Sequence, residues 1–250
     1  MHQLLSLMHS SSHCVFLSGA GISTLSGIPD FRGSKGIYKQ FDADKIFDIH
    51  YFRKDPAYFY THGKEFIYNL EEKEPNIIHK MLAKLEDEGM VKSIITQNID
   101  MLHQKAGARR VIEIHGSPAQ HTCLHCGKKF PYELISPIVH GPQVVPKCDG
   151  CGGLVKPDII FFGEMLDQNA LSQAISESSK ADLMVVIGSS LVVHPAASLP
   201  LNTVKHGGRL VIINNMPTPL DEYAYLRYPD LEEVFRYLEK EIQPNFDSHK

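Results

Sequence analysis

Basic residues are not in excess in this 250-residue chain: 25 Lys and Arg stand against 29 Asp and Glu, a formal charge of −4. Proteins held chiefly to nucleic acid or anionic lipid carry a net basic face, so neither is expected as the main partner. Low-complexity tracts and internal repeats are absent, and 43% of residues are hydrophobic, which excludes a disordered chain or a repeat array. No unbroken lipid-spanning run is present either. Met1 to Pro29 lacks charge, but it has no basic n-region and Ser6 interrupts its apolar stretch, so it is not expected to be a signal peptide. Leu183 to Val204 is also uncharged, yet Gly188, Ser189, Ser190, His194, Pro195, Pro200 and Asn202 break its apolar continuity. A soluble, cytoplasmic protein is expected. Cysteine is scarce, five residues in all, and without a secretory signal a metal site is favoured over a disulfide framework. At about 150 residues per domain the length corresponds to one or two domains, large enough to bury a core without covalent staples.

What is present is an alternation of short apolar runs with helical patterns. Strands are expected at residues 13–17, 93–96, 111–114, 159–162, 183–187 and 210–213, each apolar on both faces, as strands sandwiched between helix layers are. Helices are expected at Ile77–Glu88, Asp167–Ser179, Pro195–Lys205 and Leu231–Glu241. This order predicts an α/β fold with a doubly wound, parallel, Rossmann-like sheet. Two segments break the rhythm. Residues 35–89 begin with a stretch rich in Phe, Tyr, Lys and Asp, and 119–155 carry cysteine, glycine and proline. They are expected as a helical insertion and a zinc-ribbon module that together form a smaller lobe. Residues 1–34, 90–118 and 156–250 would then form the Rossmann-like part.

The sharpest chemical signal is Cys123-x-x-Cys126 followed by Cys148-x-x-Cys151. Two knuckles on tight glycine turns can aim four thiolates at one zinc ion, which saturates its tetrahedron and leaves no position for water. Such a site holds a fold and does no chemistry; the alternative is four unrelated thiols. His121 and His125 are further possible ligands, and Cys14 reads as a core residue. Gly19-Ala20-Gly21-Ile22-Ser23-Thr24 follows the first strand, where glycines can admit a pyrophosphate. Thr24 stands where a dinucleotide fingerprint has its third glycine, so this segment alone equally suits a plain strand-to-helix turn. The groups Gly27-Ile28-Pro29-Asp30-Phe31-Arg32-Gly33, Gln97-Asn98-Ile99-Asp100, His115-Gly116, Gly188-Ser189-Ser190 and Asn214-Asn215 fall beside or after expected strands. Polar groups therefore gather at one edge of the sheet, where open α/β folds bind ligands.

Together with Phe162-Gly163-Glu164 and the four cysteines, these segments resemble the sirtuin (Sir2) family of NAD-dependent protein deacylases, in the family's order and spacing from about residue 13 to 235. The resemblance is to a compact microbial member. It implies a reaction in which the amide oxygen of an acyl-lysine attacks the ribose carbon bearing nicotinamide. Nicotinamide leaves, and hydrolysis yields free lysine and acyl-ADP-ribose. It further implies His115 as base, with Asn98 beside it in catalysis. Gly19, Ala20, Gly21, Thr24, Asp30, Phe31 and Arg32 would hold the dinucleotide. Gln97, Asn98, Ile99 and Asp100 would line the ribose and nicotinamide pocket, and Gly188, Ser189, Ser190 and Asn214 the phosphate and adenosine side. Ile160, Phe162 and Gly163 would flank the acyl-lysine, and one structural zinc would sit on Cys123, Cys126, Cys148 and Cys151.

The chain departs from the family at Met101, where glycine is common, and at Asp167, where proline often stands. Relatives that remove succinyl groups carry Tyr and Arg three residues apart in the first insertion. Here each Tyr between residues 35 and 90 is followed at that offset by Phe41, Lys54, Thr61, Gly63 or Glu71. An acidic acyl chain would lack its bidentate partner, so neutral acyl groups, acetyl first, are expected. Three other readings compete: mono-ADP-ribosyl transfer by the same pocket, a zinc-ribbon module binding nucleic acid through Lys128-Lys129 or Arg109-Arg110, and hydride transfer by a dehydrogenase. Acyl-lysine proteins or peptides are the expected partners, with no direct nucleic acid and no membrane.

Overall fold

The structure is a computed structural model that describes residues 1–31, 33, 36, 37 and 42–242. Six parallel strands form the main sheet: β1 (Cys14–Ser18), β2 (Val91–Thr96), β3 (Val111–Glu113), β7 (Leu183–Ile187), β8 (Arg209–Ile213) and β9 (Ala224–Tyr228). Between β3 and β7 the chain makes a separate antiparallel sheet of β4 (Gly116–Cys123), β5 (Lys129–Pro131) and β6 (Val155–Ile159), in the order β5-β4-β6.

The main sheet runs β3-β2-β1-β7-β8-β9. Its winding reverses between β1 and β7, and a crevice opens at the carboxyl ends of strands at such a switch point. Every residue of β1 and β7 is buried, which is why both faces read as apolar. Cys14 and Phe16 face one helical layer, with Leu4, Leu7, Ile78, Leu82, Phe235 and Leu238. Val15 and Leu17 face the other, with Ala174, Ala197 and Leu199. Burial pushes the Cys14 thiol up, as befits a core residue.

Helix ends follow their caps. Asn76 accepts from the Ile78 amide in a capping box that opens Ile77–Asp87, and its side-chain amide ties that helix to Ile22 and Ser26. Asp167 accepts from Ala170 at 2.8 Å and caps Gln168–Lys180, so the acid that replaces the common proline does the work of an N-cap. Asp230 likewise caps Leu231–Glu241.

The structure corrects two expectations from sequence. The run 159–162 is not a strand of the main sheet: strand β6 stops at Ile159, and Ile160 donates instead to the His115 carbonyl, Phe162 to that of Phe47. Its apolarity reflects the aromatic cluster of Phe47, Phe52, Phe59 and Phe161, packed edge to face. The expected helix Pro195–Lys205 is a 3₁₀ turn, Ala196–Ser198, followed by a helix Leu199–Lys205; Pro200 is tolerated in its first turn. Helix His2–Ser10 and edge strand β9 are additional elements. Among the described residues, no helix is long and apolar enough to cross a membrane.

Candidate active site

The four cysteines converge. Cys123 ends β4, and its Sγ lies 3.5 Å from that of Cys151, while those of Cys126 and Cys148 are 3.6 Å apart. All four ligand atoms fall within 4.8 Å of one another. A tetrahedral zinc with bonds of about 2.3 Å sets sulfurs about 3.8 Å apart, whereas a disulfide needs about 2.05 Å. The cluster therefore fits a metal and no bridge. Amides of Cys126 and His125 lower the Cys123 pKa, while the neighbouring thiols raise that of Cys151. A Cβ on Gly153 would sit 2.8 Å from the Cys123 sulfur, so the second knuckle closes only with glycine. His121 is buried and hydrogen-bonded to Tyr68 at 2.9 Å, and His125 is exposed; neither joins the cluster. The residues fit one zinc.

At the switch point three glycines interlock. Gly19 donates to Ile187 O at 3.0 Å and Gly21 to Gly188 O at 2.9 Å. A Cβ on Gly19 or Gly21 would meet Gly188 at 2.8 or 2.9 Å, and one on Gly188 would reach the Ile22 nitrogen at 2.6 Å. The glycines thus bring two strand-end turns into contact, and the Gly21 amide is spent on that contact. The 3₁₀ helix Ala20–Ser26 follows.

Above this junction lies a cleft of about 770 Å³, within the usual range for a small-molecule site. Gly19, Ala20, Gly21, Thr24, Asp30, Phe31, Gln97, Asn98, Ile99 and His115 line it, with Ile160, Phe162, Gly163, Gly188, Ser189, Ser190 and Asn214. Asp100 lines a small adjoining recess with Ala20, Ser23, Phe31, Asn98 and Ile99. Arg32 lies outside the described residues, as do Tyr38 and Phe41. Sequence reasoning did not find Met216, Pro229, Asp230, Leu231 or Glu232, which close one end of the cleft. Only the helix-start signal at Asp230 marked that segment. Among the described residues, no lysine or arginine lines the cleft.

The polar groups are held by their strands. The His115 ring Nδ1 lies 3.0 Å from the Gln97 carbonyl. A carbonyl only accepts, so Nδ1 carries the proton and Nε2 keeps its lone pair. Burial lowers the His115 pKa, against the pull of the Gln97 carbonyl, so the ring is a neutral base near pH 7. Gln97 donates to Ser189 Oγ at 2.8 Å, bridging β2 to β7. Asn98 donates through Nδ2 to Gly19 O and Ser23 Oγ, both at 3.2 Å, while its buried Oδ1 has no partner. Buried acceptors are rarely left so, and Asn98 borders both the cleft and the recess. Asp100 accepts from Ser23 Oγ at 2.6 Å and from the Leu102 amide at 3.0 Å. Beneath them, Ser18 donates to Thr96 at 2.8 Å and contacts His103 Nε2 at 2.9 Å. Burial holds His103 down at about 3, so this support stays neutral.

A glycine cradle, an unpartnered amide oxygen, serine hydroxyls and a buried neutral base at a switch point together fit a dinucleotide. By fold and site, the chain is an NAD-binding α/β protein with a structural zinc module. Residues 19–195 match the Sir2 family, and the chain belongs to that family. It is 50% identical over 228 residues to an NAD-dependent protein deacetylase of Thermotoga maritima, covering 91% of this chain and 92% of the relative. It is 43% identical over 220 residues to NAD-dependent protein deacylase 2 of Archaeoglobus fulgidus, covering 86% and 85%. A Sir2 histidine variant solved with deacetylated p53 peptide and 3′-O-acetyl-ADP-ribose superposes with a TM-score of 0.92 at 48% identity, covering 96% of this chain and 98% of that one. Sir2Tm bound to a propionylated peptide gives 0.88 at 47% identity with the same coverage.

Proposed function

We propose that the chain is an NAD-dependent protein lysine deacetylase that converts an acyl-lysine to free lysine with release of nicotinamide and O-acyl-ADP-ribose. The observation that carries this is one cleft joining three things: the interlocked glycines, the open Nε2 of His115 and the loop Ile160–Gly163. NAD supplies an electrophilic ribose carbon with a cationic leaving group. The rest falls to the residues. His115 Nε2 takes a ribose hydroxyl proton, and the Gln97 carbonyl stabilises the ring as it becomes cationic. Asn98 offers its Oδ1 to the ribose side, held by Gly19 and Ser23. Asp100 and Ile99 border the recess suited to the nicotinamide carboxamide. Ser189, Ser190 and Asn214 serve the phosphate and adenosine end. Zinc, distant from the chemistry, would hold the knuckles of the small lobe.

Ile160, Phe162 and Gly163 would flank the acyl-lysine, with the peptide adding as a strand between the lobes. The lobes expected from sequence are residues 1–34, 90–118 and 156–250 for the dinucleotide and 35–89 with 119–155 for the smaller part, although helix Ile77–Asp87 packs on the main sheet through Ile78 and Leu82. The absence of an Arg three residues after any Tyr between residues 35 and 90 supports neutral acyl groups, acetyl first. Four unbridged thiols suit a reducing cytoplasm.

The test is incubation of an acetyl-lysine peptide with the protein, with and without NAD, followed by mass spectrometry of peptide and nicotinamide, with His115→Ala in parallel. NAD-dependent loss of acetyl with equal nicotinamide, absent in the variant, is expected. Nicotinamide release with the acetyl group retained would instead mean ADP-ribosyl transfer or NAD hydrolysis.

A further inference from the structure

Lys156 is a lysine in the interior. Its side chain is 6% exposed, although lysine is among the residues least often buried. It stands near the start of β6, the strand that leads at Ile159 into the segment bordering the cleft. Its ammonium has three protons, and the structure supplies three acceptors: Ile159 O at 2.6 Å, Glu164 Oε2 at 2.9 Å and Pro157 O at 3.1 Å. The face of Phe161 lies 4.1 Å away as a fourth neighbour. Glu164 is used twice, since its Oε2 also accepts the Phe161 amide at 2.8 Å. Every donor of a desolvated cation is therefore satisfied, and all its partners belong to one segment, residues 157–164.

That segment carries Ile160, Phe162 and Gly163. Ile159, Phe161 and Glu164 gather around the ammonium and, with Ile160, Phe162 and Gly163 between them, also border the cleft. Phe162 is 47% exposed at its mouth. Gly163 holds φ +88° against Ile49, 3.0 Å from where a Cβ would stand. The segment has little strand hydrogen bonding of its own; beyond β6 it keeps a parallel bridge between Asp48 and Phe162 and the Ile160 amide on His115 O. Without the ammonium, the Pro157 and Ile159 carbonyls would lose its hydrogen bonds and the Glu164 carboxylate would keep the Phe161 amide but lose its counter-charge.

We propose that Lys156 is a positioning residue for the acyl-lysine substrate: through Glu164 and the carbonyls of Pro157 and Ile159 it sets the shape of the loop that flanks the acylated side chain. This rests on the deacetylase reading of the cleft. Burial pulls the Lys156 pKa down, against Glu164, which holds it charged.

The test compares wild type, Lys156→Met and Lys156→Arg, all full-length and zinc-loaded. Binding of a fluorescent acetyl-lysine peptide and binding of NAD are measured separately, with thermal melts. Lys156→Met keeps the stem and removes the donors. It should weaken the peptide by about tenfold or more, as expected for a displaced binding loop, and leave NAD affinity within about twofold, since the dinucleotide contacts lie on other elements. Lys156→Arg, which keeps a cation, should recover most of the peptide affinity. If Lys156→Met does not fold, Glu164→Gln keeps the amide contact, loses the charge assistance and should weaken the peptide by about threefold to tenfold. Unchanged peptide affinity in a folded Lys156→Met, or in Glu164→Gln where the former does not fold, overturns the proposal. Proportional loss of NAD and peptide does so too. Selective loss of peptide binding, with no turnover of acetyl-lysine even by wild type, would leave the positioning role standing and remove the deacetylase reading.

Discussion

Replacing Gly188 by alanine separates two demands that the glycine junction makes. The first is conformational: Gly188 has φ +59°, a left-handed backbone that costs an L-residue about 1–2 kcal/mol. The second is steric: the new Cβ would lie 2.6 Å from the Ile22 nitrogen and 2.9 Å from Gly21 C. These are backbone atoms that cannot rotate away, so the turns must part, at about 1–3 kcal/mol typical of overpacking. The sum is about 2–5 kcal/mol. At about 2–4 °C per kcal/mol for a chain this size, melting should fall by about 4–20 °C. Two controls divide the sum. Gly207 has φ +83° and nothing within 4 Å of its Cβ position, so Gly207→Ala carries the conformational part alone, about 1–2 kcal/mol. Gly19 has φ −130° and a contact at 2.8 Å with Gly188 O, so Gly19→Ala carries the steric part alone. Thermal melts with and without NAD provide the assay. Both junction variants should also lose NAD-induced stabilisation, whereas Gly207→Ala keeps it. A Gly188→Ala protein no less stable than Gly207→Ala, or one that NAD still protects as fully, would refute the interlock.

Other expectations follow from the same geometry. Metal analysis should find one zinc per chain; a strong chelator or Cys123→Ser should release it and lower the melting temperature, while Cys14→Ser should leave zinc content unchanged. Because burial lowers the His115 pKa from 6.5, its base form persists below that pH, and the acid limb of kcat/KM should have its midpoint under 6.5; a limb above 6.5 would contradict the buried, singly protonated ring. Met101 adopts φ +60° and packs on the small lobe's apolar cluster. Met101→Gly and Met101→Ala both lose that packing, but only glycine escapes the left-handed cost of about 1–2 kcal/mol, so the glycine variant should melt several degrees higher than the alanine one.

The central sheet was legible because β1, β7 and β8 sit between two helix layers and are apolar on both faces. The same rule misplaced 159–162, whose two apolar faces meet aromatic rings and the cleft. Edge strand β9 was not legible: Ala224, Leu226 and Tyr228 are only half-buried, and charged and polar residues stand between them. Helix His2–Ser10 buries Leu4, Leu7 and Met8 at helical spacing, a pattern lost in an uncharged segment better suited to questions of targeting. Strand-end residues such as His115 and Gln97 announced themselves, since a parallel sheet gathers its carboxyl ends. Asp230 and Glu232 did not, because only the tertiary fold carries the start of the last helix to the cleft. Lys156 gave no signal, as nothing local to a lysine says that three acceptors await it.

The position of the junction also governs when the site comes into being. Its two halves, Gly19 to Gly21 and Gly188, follow strands that are neighbours in space but far apart in sequence, with β2 to β6 between them. During synthesis the first half leaves the ribosome long before the second, and the most distant contacts of a fold form last. A nascent chain arrested before β7 has emerged should therefore retain no NAD on a capture resin, whereas one extended past β8 and the last helix should. Nucleotide capture would then mark the completion of the central sheet, and a cell rich in the dinucleotide would draw finished chains toward the native state by mass action.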